Sequence, residues 1–133
     1  MERLKVLCVD DNMYMLKAVS AVLSGVYDVS ILPDGTRLKE YLERETPDLF
    51  LLDYYMPVLN GFELIPIIRE FPEHRNTPIV FLTAIYNIEC VKQAISLGVI
   101  EYIVKPVSNE NLLAKIARHI VRNPKNEITS EMD

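Results

Sequence analysis

Five polar residues stand directly behind short apolar runs in this sequence. Asp10 and Asp11 follow Leu7-Cys8-Val9, Asp53 follows Leu49-Phe50-Leu51-Leu52, Thr83 follows Phe81-Leu82, and Lys105 follows Ile103-Val104. An aspartate that continues a buried run is costly unless it is paired or bound to a metal. Three carboxylates brought together repel, and the grouping is tolerable only when a cation or a proton offsets the repulsion. A hard divalent ion suits such a set, because Mg²⁺ takes oxygen ligands, keeps several waters, and uses one or two carboxylates together with phosphate oxygens. A lysine beside it supplies a point charge for phosphate, and a threonine hydroxyl can donate to another phosphate oxygen. The chemistry such a set would serve is phosphoryl transfer with a carboxylate as nucleophile.

These residues meet only if the chain carries them to one place. Short β-rich runs alternate with longer segments of helical period, which is the signature of βα units around a parallel sheet. The strand candidates are 4–9, 27–32, 49–52, 79–82 and 102–104, several apolar on both faces as a covered parallel sheet requires. In an open parallel sheet, functional groups gather beyond the carboxyl ends of the strands. Four of the five strand candidates deliver an acid, hydroxyl or lysine to that rim. Gly25 and Gly98 are placed to close the first and fourth helices, and Asp34-Gly35 and Asn60-Gly61 to launch the second and third. Pro66, just past the first turn of the third helix, predicts a kink or a late start.

The 133 residues suit one domain with one sizeable core. That domain is expected over residues 1–122, and the polar, aperiodic stretch 123–133 is expected to fray. A net charge of −5 with no basic patch argues against a nucleic-acid surface. No signal-peptide core and no apolar run of ~20 residues is present, so the expected location is cytoplasmic, off the membrane. Cys8 and Cys90 lack CxxC spacing and read as plain thiols.

Taken together, Leu7-Cys-Val-Asp-Asp11, Leu51-Leu-Asp-Tyr-Tyr-Met-Pro57 with Gly61, Phe81-Leu-Thr-Ala84 and Tyr102-Ile-Val-Lys-Pro106 resemble the response-regulator receiver domain of two-component signalling. The resemblance covers residues 4–122. It implies a flavodoxin-like (βα)5 three-layer sandwich with parallel sheet order 2-1-3-4-5. Residue by residue, it implies Asp53 as phospho-acceptor, Asp10 and Asp11 as the acid pair that holds Mg²⁺, and the Tyr55 backbone carbonyl as a further ligand. It implies Thr83 and Lys105 as phosphoryl contacts, Thr83 and Tyr102 as the switch pair, and a cis Lys105-Pro106 bond. The implied partners are a sensor histidine kinase or histidine phosphotransfer protein as donor, and an effector protein or output domain that reads the face of the fourth helix, fifth strand and fifth helix. A homodimer on phosphorylation is compatible with this reading. The implied role is a phosphorylation-controlled switch that promotes its own phosphorylation and dephosphorylation, not a turnover enzyme.

Each residue alone has a plainer reading: the Asp10-Asp11 pair as a turn or cap, Thr83 as a helix N-cap, Lys105 as a solvated charge, Tyr102 as a strand aromatic. Two rival functions follow from the same residues. An aspartyl phosphatase would want an acid two residues after its nucleophile, where Tyr55 stands, and a docking-only pseudo-receiver would not need the full set. A helical wheel turns Met15, Val19 and Val22 toward the sheet and leaves Met13 and Leu16 facing away near the acid pair, where they are expected to dock the donor. Tyr55 and Ile85, each two residues beyond a site residue, are expected to border the phosphoryl group and gate the hydrolytic water.

Overall fold

The structure, a computed structural model, describes residues 2–131. Five strands, β1 (Lys5–Val9), β2 (Asp28–Leu32), β3 (Leu49–Leu52), β4 (Ile79–Thr83) and β5 (Glu101–Val104), form one parallel sheet in the order β2-β1-β3-β4-β5. Between them run α1 (Met13–Leu23), α2 (Leu38–Leu42), α3 (Gly61–Arg69) and α4 (Ile88–Ser96), followed by α5 (Asn109–His119) and α6 (Pro124–Glu131). The expected sheet order is the one observed.

Strand alternation splits the core in two. Val6, Cys8, Leu51, Val80, Leu82 and Ile103 face α1 and α5, whereas Leu7, Val9, Phe50, Leu52, Ile79 and Phe81 face α2, α3 and α4. Covering both faces explains why β3 is buried at every residue and reads as an uninterrupted apolar run. Asparagine or serine side chains cap the helices that leave the functional rim. Asn12 accepts from Tyr14 N and Met15 N, Asn60 forms a capping box with Glu63, Asn87 accepts from Cys90 N, and Ser108 accepts from Asn111 N. Each cap fixes where a loop ends, and so how far each functional residue sits from its helix.

Three expectations need correction. Leu16 does not face away from the sheet: it is 1% exposed and lies in the core with Val19 and Leu23. At ~100° per residue both Leu16/Leu23 and Met15/Val22 lie within about 60° of Val19, so the wheel alone could not choose between the flanks. The sheet takes Leu16 and Leu23, and Met15 and Val22 stay half-buried toward α5. Leu16 is therefore no docking residue. Second, α3 starts at Gly61 and runs through Pro66 to Arg69, with the next amide, Glu70 N, donating to Pro66 O at 3.1 Å. Of the two alternatives it is the late start that is overturned: one missing donor early in the helix does not delay its start. Third, the stretch expected to fray holds α6. Asn123 is 4% exposed, its N–H donates to Asp48 Oδ1 at 2.6 Å, and its Nδ2 donates to Glu73 O at 2.8 Å. Asn126 Nδ2 reaches Thr46 O at 3.0 Å, and Pro124 opens the helix. Tertiary hydrogen bonds, not an apolar stripe, hold this helix. Residues 132 and 133 of the expected tail lie outside the described residues.

Candidate functional site

The carboxyl ends of β1, β3, β4 and β5 are laced side by side by backbone bonds that continue the sheet into the loops. Asp53 N donates to Val9 O at 2.9 Å, and Lys105 N donates to Thr83 O at 2.9 Å. One carboxylate oxygen from each of Asp10, Asp11 and Asp53 lies within 4.8 Å of the others. Asp10 and Asp53 are buried at 7% and 8% exposure, and Asp11 is exposed. Lys105 reaches across the group, with Nζ 2.8 Å from Asp10 Oδ2 and 3.6 Å from Asp53 Oδ2. The five residues that the sequence set behind apolar runs are thus brought together.

Backbone amides orient the two buried carboxylates. Asn12 N donates to Asp10 Oδ1 at 2.9 Å, and Tyr55 N donates to Asp53 Oδ1 at 3.2 Å. Burial raises the Asp53 pKa above the ordinary carboxylate value; the Thr83 hydroxyl lowers it, Asp10 raises it, and Lys105 lowers it. A second cation in the site would favour the ionised, nucleophilic form. The donor set is all oxygen and has a Lys beside it, which fits Mg²⁺ better than a softer transition metal.

The cleft above this group is lined by Asp11, Asn12, Met15, Asp53, Tyr55, Thr83, Ala84, Ile85 and Lys105. Tyr55 and Ile85 therefore border the site, Tyr55 with 69% of its surface exposed. Thr83 is fully buried, and its Oγ1 accepts from Ile85 N at 3.2 Å. Tyr102, half-buried and paired with Phe81 in the strand register, donates its hydroxyl to Ile85 O. Thr83 and Tyr102 thus hold the same loop residue from two sides. The Lys105-Pro106 bond is cis. Met13 is 43% exposed at the start of α1.

The loop from Tyr54 to Gly61 has a backbone geometry that its residue types do not announce. Leu59 N donates to Pro57 O at 2.9 Å around Val58, which has φ +71°. This is a γ-turn of the strained hand, at a β-branched residue that disfavours it. Gly61 N donates to Tyr54 O at 2.8 Å, and a Cβ on Gly61 would lie 2.8 Å from Asp53 O. Only glycine lets α3 approach the carboxyl end of β3 this closely. Asn12, which turns Asp10, was also missed, although an asparagine directly before a helical pattern signals a cap.

A model of the response regulator receiver domain matches residues 6–117. The chain belongs to the receiver-domain family. Its relatives include protein RcaC of Microchaete diplosiphon, 32% identical over 119 residues, which make up 89% of this chain and 18% of that protein. The chemotaxis protein CheY4 of Vibrio cholerae has the same fold, with a TM-score of 0.84 at 30% identity, covering 89% of this chain and 99% of that one. The receiver domain of the Pseudomonas aeruginosa sensor histidine kinase PA1611, solved with a magnesium ion in its active-site cleft, gives a TM-score of 0.79 at 28% identity, covering 88% and 97%. The chain spans about half or less of the first curated relatives it matches, from 18% to 53% of their length. Receiver domains are phosphoryl-accepting signalling switches that bind Mg²⁺ at an acidic pocket. Among the described residues, no helix is long and apolar enough to cross a membrane.

Proposed function

We propose that this receiver accepts a phosphoryl group on Asp53 from the phosphohistidine of a sensor kinase or phosphotransfer protein. The observation that carries the proposal is the meeting of three carboxylates with Lys105, whose Nζ lies within 4.0 Å of both buried acids. A carboxylate oxygen of Asp53 attacks phosphorus as the P–N bond to the donor imidazole breaks, and the imidazole leaves with its electron pair and takes up a proton. Bound Mg²⁺, held by Asp10, Asp11, Asp53 and the Tyr55 carbonyl, would neutralise charge on the phosphoryl oxygens. Lys105 pairs with one of those oxygens, and Thr83 donates its hydroxyl to another. The movement of Thr83 then biases Tyr102 and the face of α4, β5 and α5, which an effector, an output domain or a second copy reads. The phosphorylation-competent unit includes α6, which Asn123 and Asn126 tie to Asp48, and acts in the cytoplasm as a switch.

Met13 remains a docking residue for the donor. Beside it, the half-buried Met15 and Val22 line an apolar groove between α1 and α5 that ends at Lys105 and Pro106. An aspartyl phosphatase lacks support, because Tyr55 stands where its second acid would be. A docking-only domain has no use for the complete acid, hydroxyl and lysine set.

Acetyl phosphate should label the chain once, at Asp53, and only with Mg²⁺, as read by intact mass and peptide mapping. Label that survives Asp53→Asn, or that forms equally well in EDTA, removes the assignment.

A further inference from the structure

Helix α4 rests lightly on the molecule. Of its nine residues only Ala94 is fully buried, while Ile88 and Ile95 are 61% and 65% exposed. An element with so little buried surface has low local stability and can respond to small changes beneath it. Its inner side meets the site through Cys90, whose thiol lies beside the Tyr54 hydroxyl.

Tyr54 follows Asp53 directly in the chain and begins a line of ring contacts. Its ring centroid lies 4.7 Å from that of Phe62, Phe62 lies 5.4 Å from Phe81, and Phe81 lies 6.0 Å from Tyr102. Phe81 pairs with Tyr102 in the strand register and stands two residues before Thr83. The line has no slack at its middle: a Cβ on Gly61 would sit 2.8 Å from Asp53 O and 3.0 Å from Phe81 Cζ. In a core packed this closely, a shift of the Asp53–Tyr55 backbone must be taken up by the rings.

We infer that Tyr54 is a positioning residue of the switch, carrying the loading of Asp53 to α4 through Cys90 and to Tyr102 through Phe62 and Phe81, in parallel with Thr83. The inference rests on Asp53 being the phospho-acceptor.

The chain holds its own probe. Cys90 is half-buried on α4, whereas Cys8 is buried with its thiol pushed up to about 12, so iodoacetamide should modify Cys90 alone. With Mg²⁺ and acetyl phosphate, the rate of Cys90 alkylation in the wild type should change about threefold or more as α4 shifts. Tyr54→Leu, which removes ring and hydroxyl, should still take the label at Asp53 yet lose most of that change. Tyr54→Phe, which keeps the ring, should raise the unloaded rate and retain a response. The relay is overturned if Asp53 is labelled and the wild-type rate does not move, if labelled Tyr54→Leu responds in full, or if Tyr54→Phe has the unloaded rate of the wild type. Absence of label in the wild type overturns the phospho-acceptor reading instead, which the mass measurement on the same sample distinguishes.

Discussion

The two ends of the sheet both bury acids, and they treat them oppositely. At the carboxyl end, Asp10 and Asp53 crowd together under an open cleft and share one lysine, and burial, with Asp10 adding to it, holds the Asp53 pKa above the ordinary carboxylate value. At the amino end, Asp48 is 1% exposed, and its two oxygens accept from Lys5 N at 2.7 Å, Asn123 N at 2.6 Å and Asn126 Nδ2 at 3.1 Å. The first arrangement leaves charge to be met by something that binds. The second is complete without a ligand and ties β1, the start of β3 and α6 into one scaffold. The acids of the carboxyl end keep oxygens turned to an open cleft, whereas Asp48 is met within the chain; saturation at the amino end stops at His74, whose Nε2 is buried without a partner.

The comparison can be broken most directly by truncating one acid at each end. Asp48→Ala removes the acceptor of one buried and two part-buried donors and should destabilise the fold by about 3 kcal/mol, while acetyl-phosphate labelling at Asp53 persists in the folded fraction. Asp11→Ala should do the reverse. By removing a like charge it should raise stability by about 0.5 kcal/mol in EDTA, and it should sharply weaken Mg²⁺-dependent labelling. Urea titrations paired with mass-monitored labelling check both. A stability loss from Asp11→Ala comparable to that of Asp48→Ala would show that the two ends are not built differently.

The amino end also contains the group that should govern stability in mild acid. His74 is fully buried, its Nδ1 lies 2.8 Å from Thr77 Oγ1, and its ring meets Phe50 edge-on at 5.0 Å. Burial lowers its pKa from 6.5 to about 4, with Arg69 and Lys125 also lowering it and Glu73 and Asp48 opposing. The folded His74 is therefore neutral where the unfolded one takes a proton. Its contribution is fully present above pH 6.5 and is lost as pH falls toward 4, by about 3 kcal/mol in all at 1.36 kcal/mol per unit. Stability measured between pH 7 and 5 should fall more steeply in wild type than in His74→Leu. Parallel curves would mean that His74 does not titrate this way.

How much of this was legible in the sequence follows the same division. The carboxyl end could be read because a parallel sheet sends every strand end to one rim, so apolar runs ending in Asp, Thr and Lys predict a site before any coordinate is known. Sheet order and strand limits came through for the same reason: β3 and β4 are apolar on both faces. The amino end could not be read. Asp48, His74, Thr77 and Asn123 have no shared spacing, and α6 has no apolar stripe, so only tertiary hydrogen bonds reveal them. Leu16 failed for a different reason. An apolar stripe with candidates on both flanks of Val19 leaves the facing direction to the sheet, which periodicity does not contain. Gly61 lay between, since Asn60-Gly61 hints at a turn but not at its closeness to Asp53, and Val58, a β-branched residue, hides its positive φ altogether.

The smallest effect concerns the open end alone, where Tyr55 and Ile85 line the cleft beside Asp53. Loss of phosphate from an acyl phosphate needs a water held in line with the oxygen–phosphorus bond, and a side chain that hydrogen-bonds this water lowers the barrier by positioning it. Ile85 offers no such group, and its backbone is already engaged, its N–H by Thr83 and its carbonyl by Tyr102. Tyr55 is bulky and mostly exposed, a shape that covers the approach without a carboxylate or amide near phosphorus. A long-lived phosphoaspartate is expected. Combining Tyr55→Asn with Ile85→Glu should shorten its lifetime about tenfold, equivalent to ~1.4 kcal/mol of barrier, while leaving the Mg²⁺ requirement for labelling intact. Acid-labile phosphate followed over time measures the rate. Decay that is unchanged or slower in the double variant would assign control of the water to other groups of the cleft, and the openness of this end would then serve donor access rather than hydrolysis.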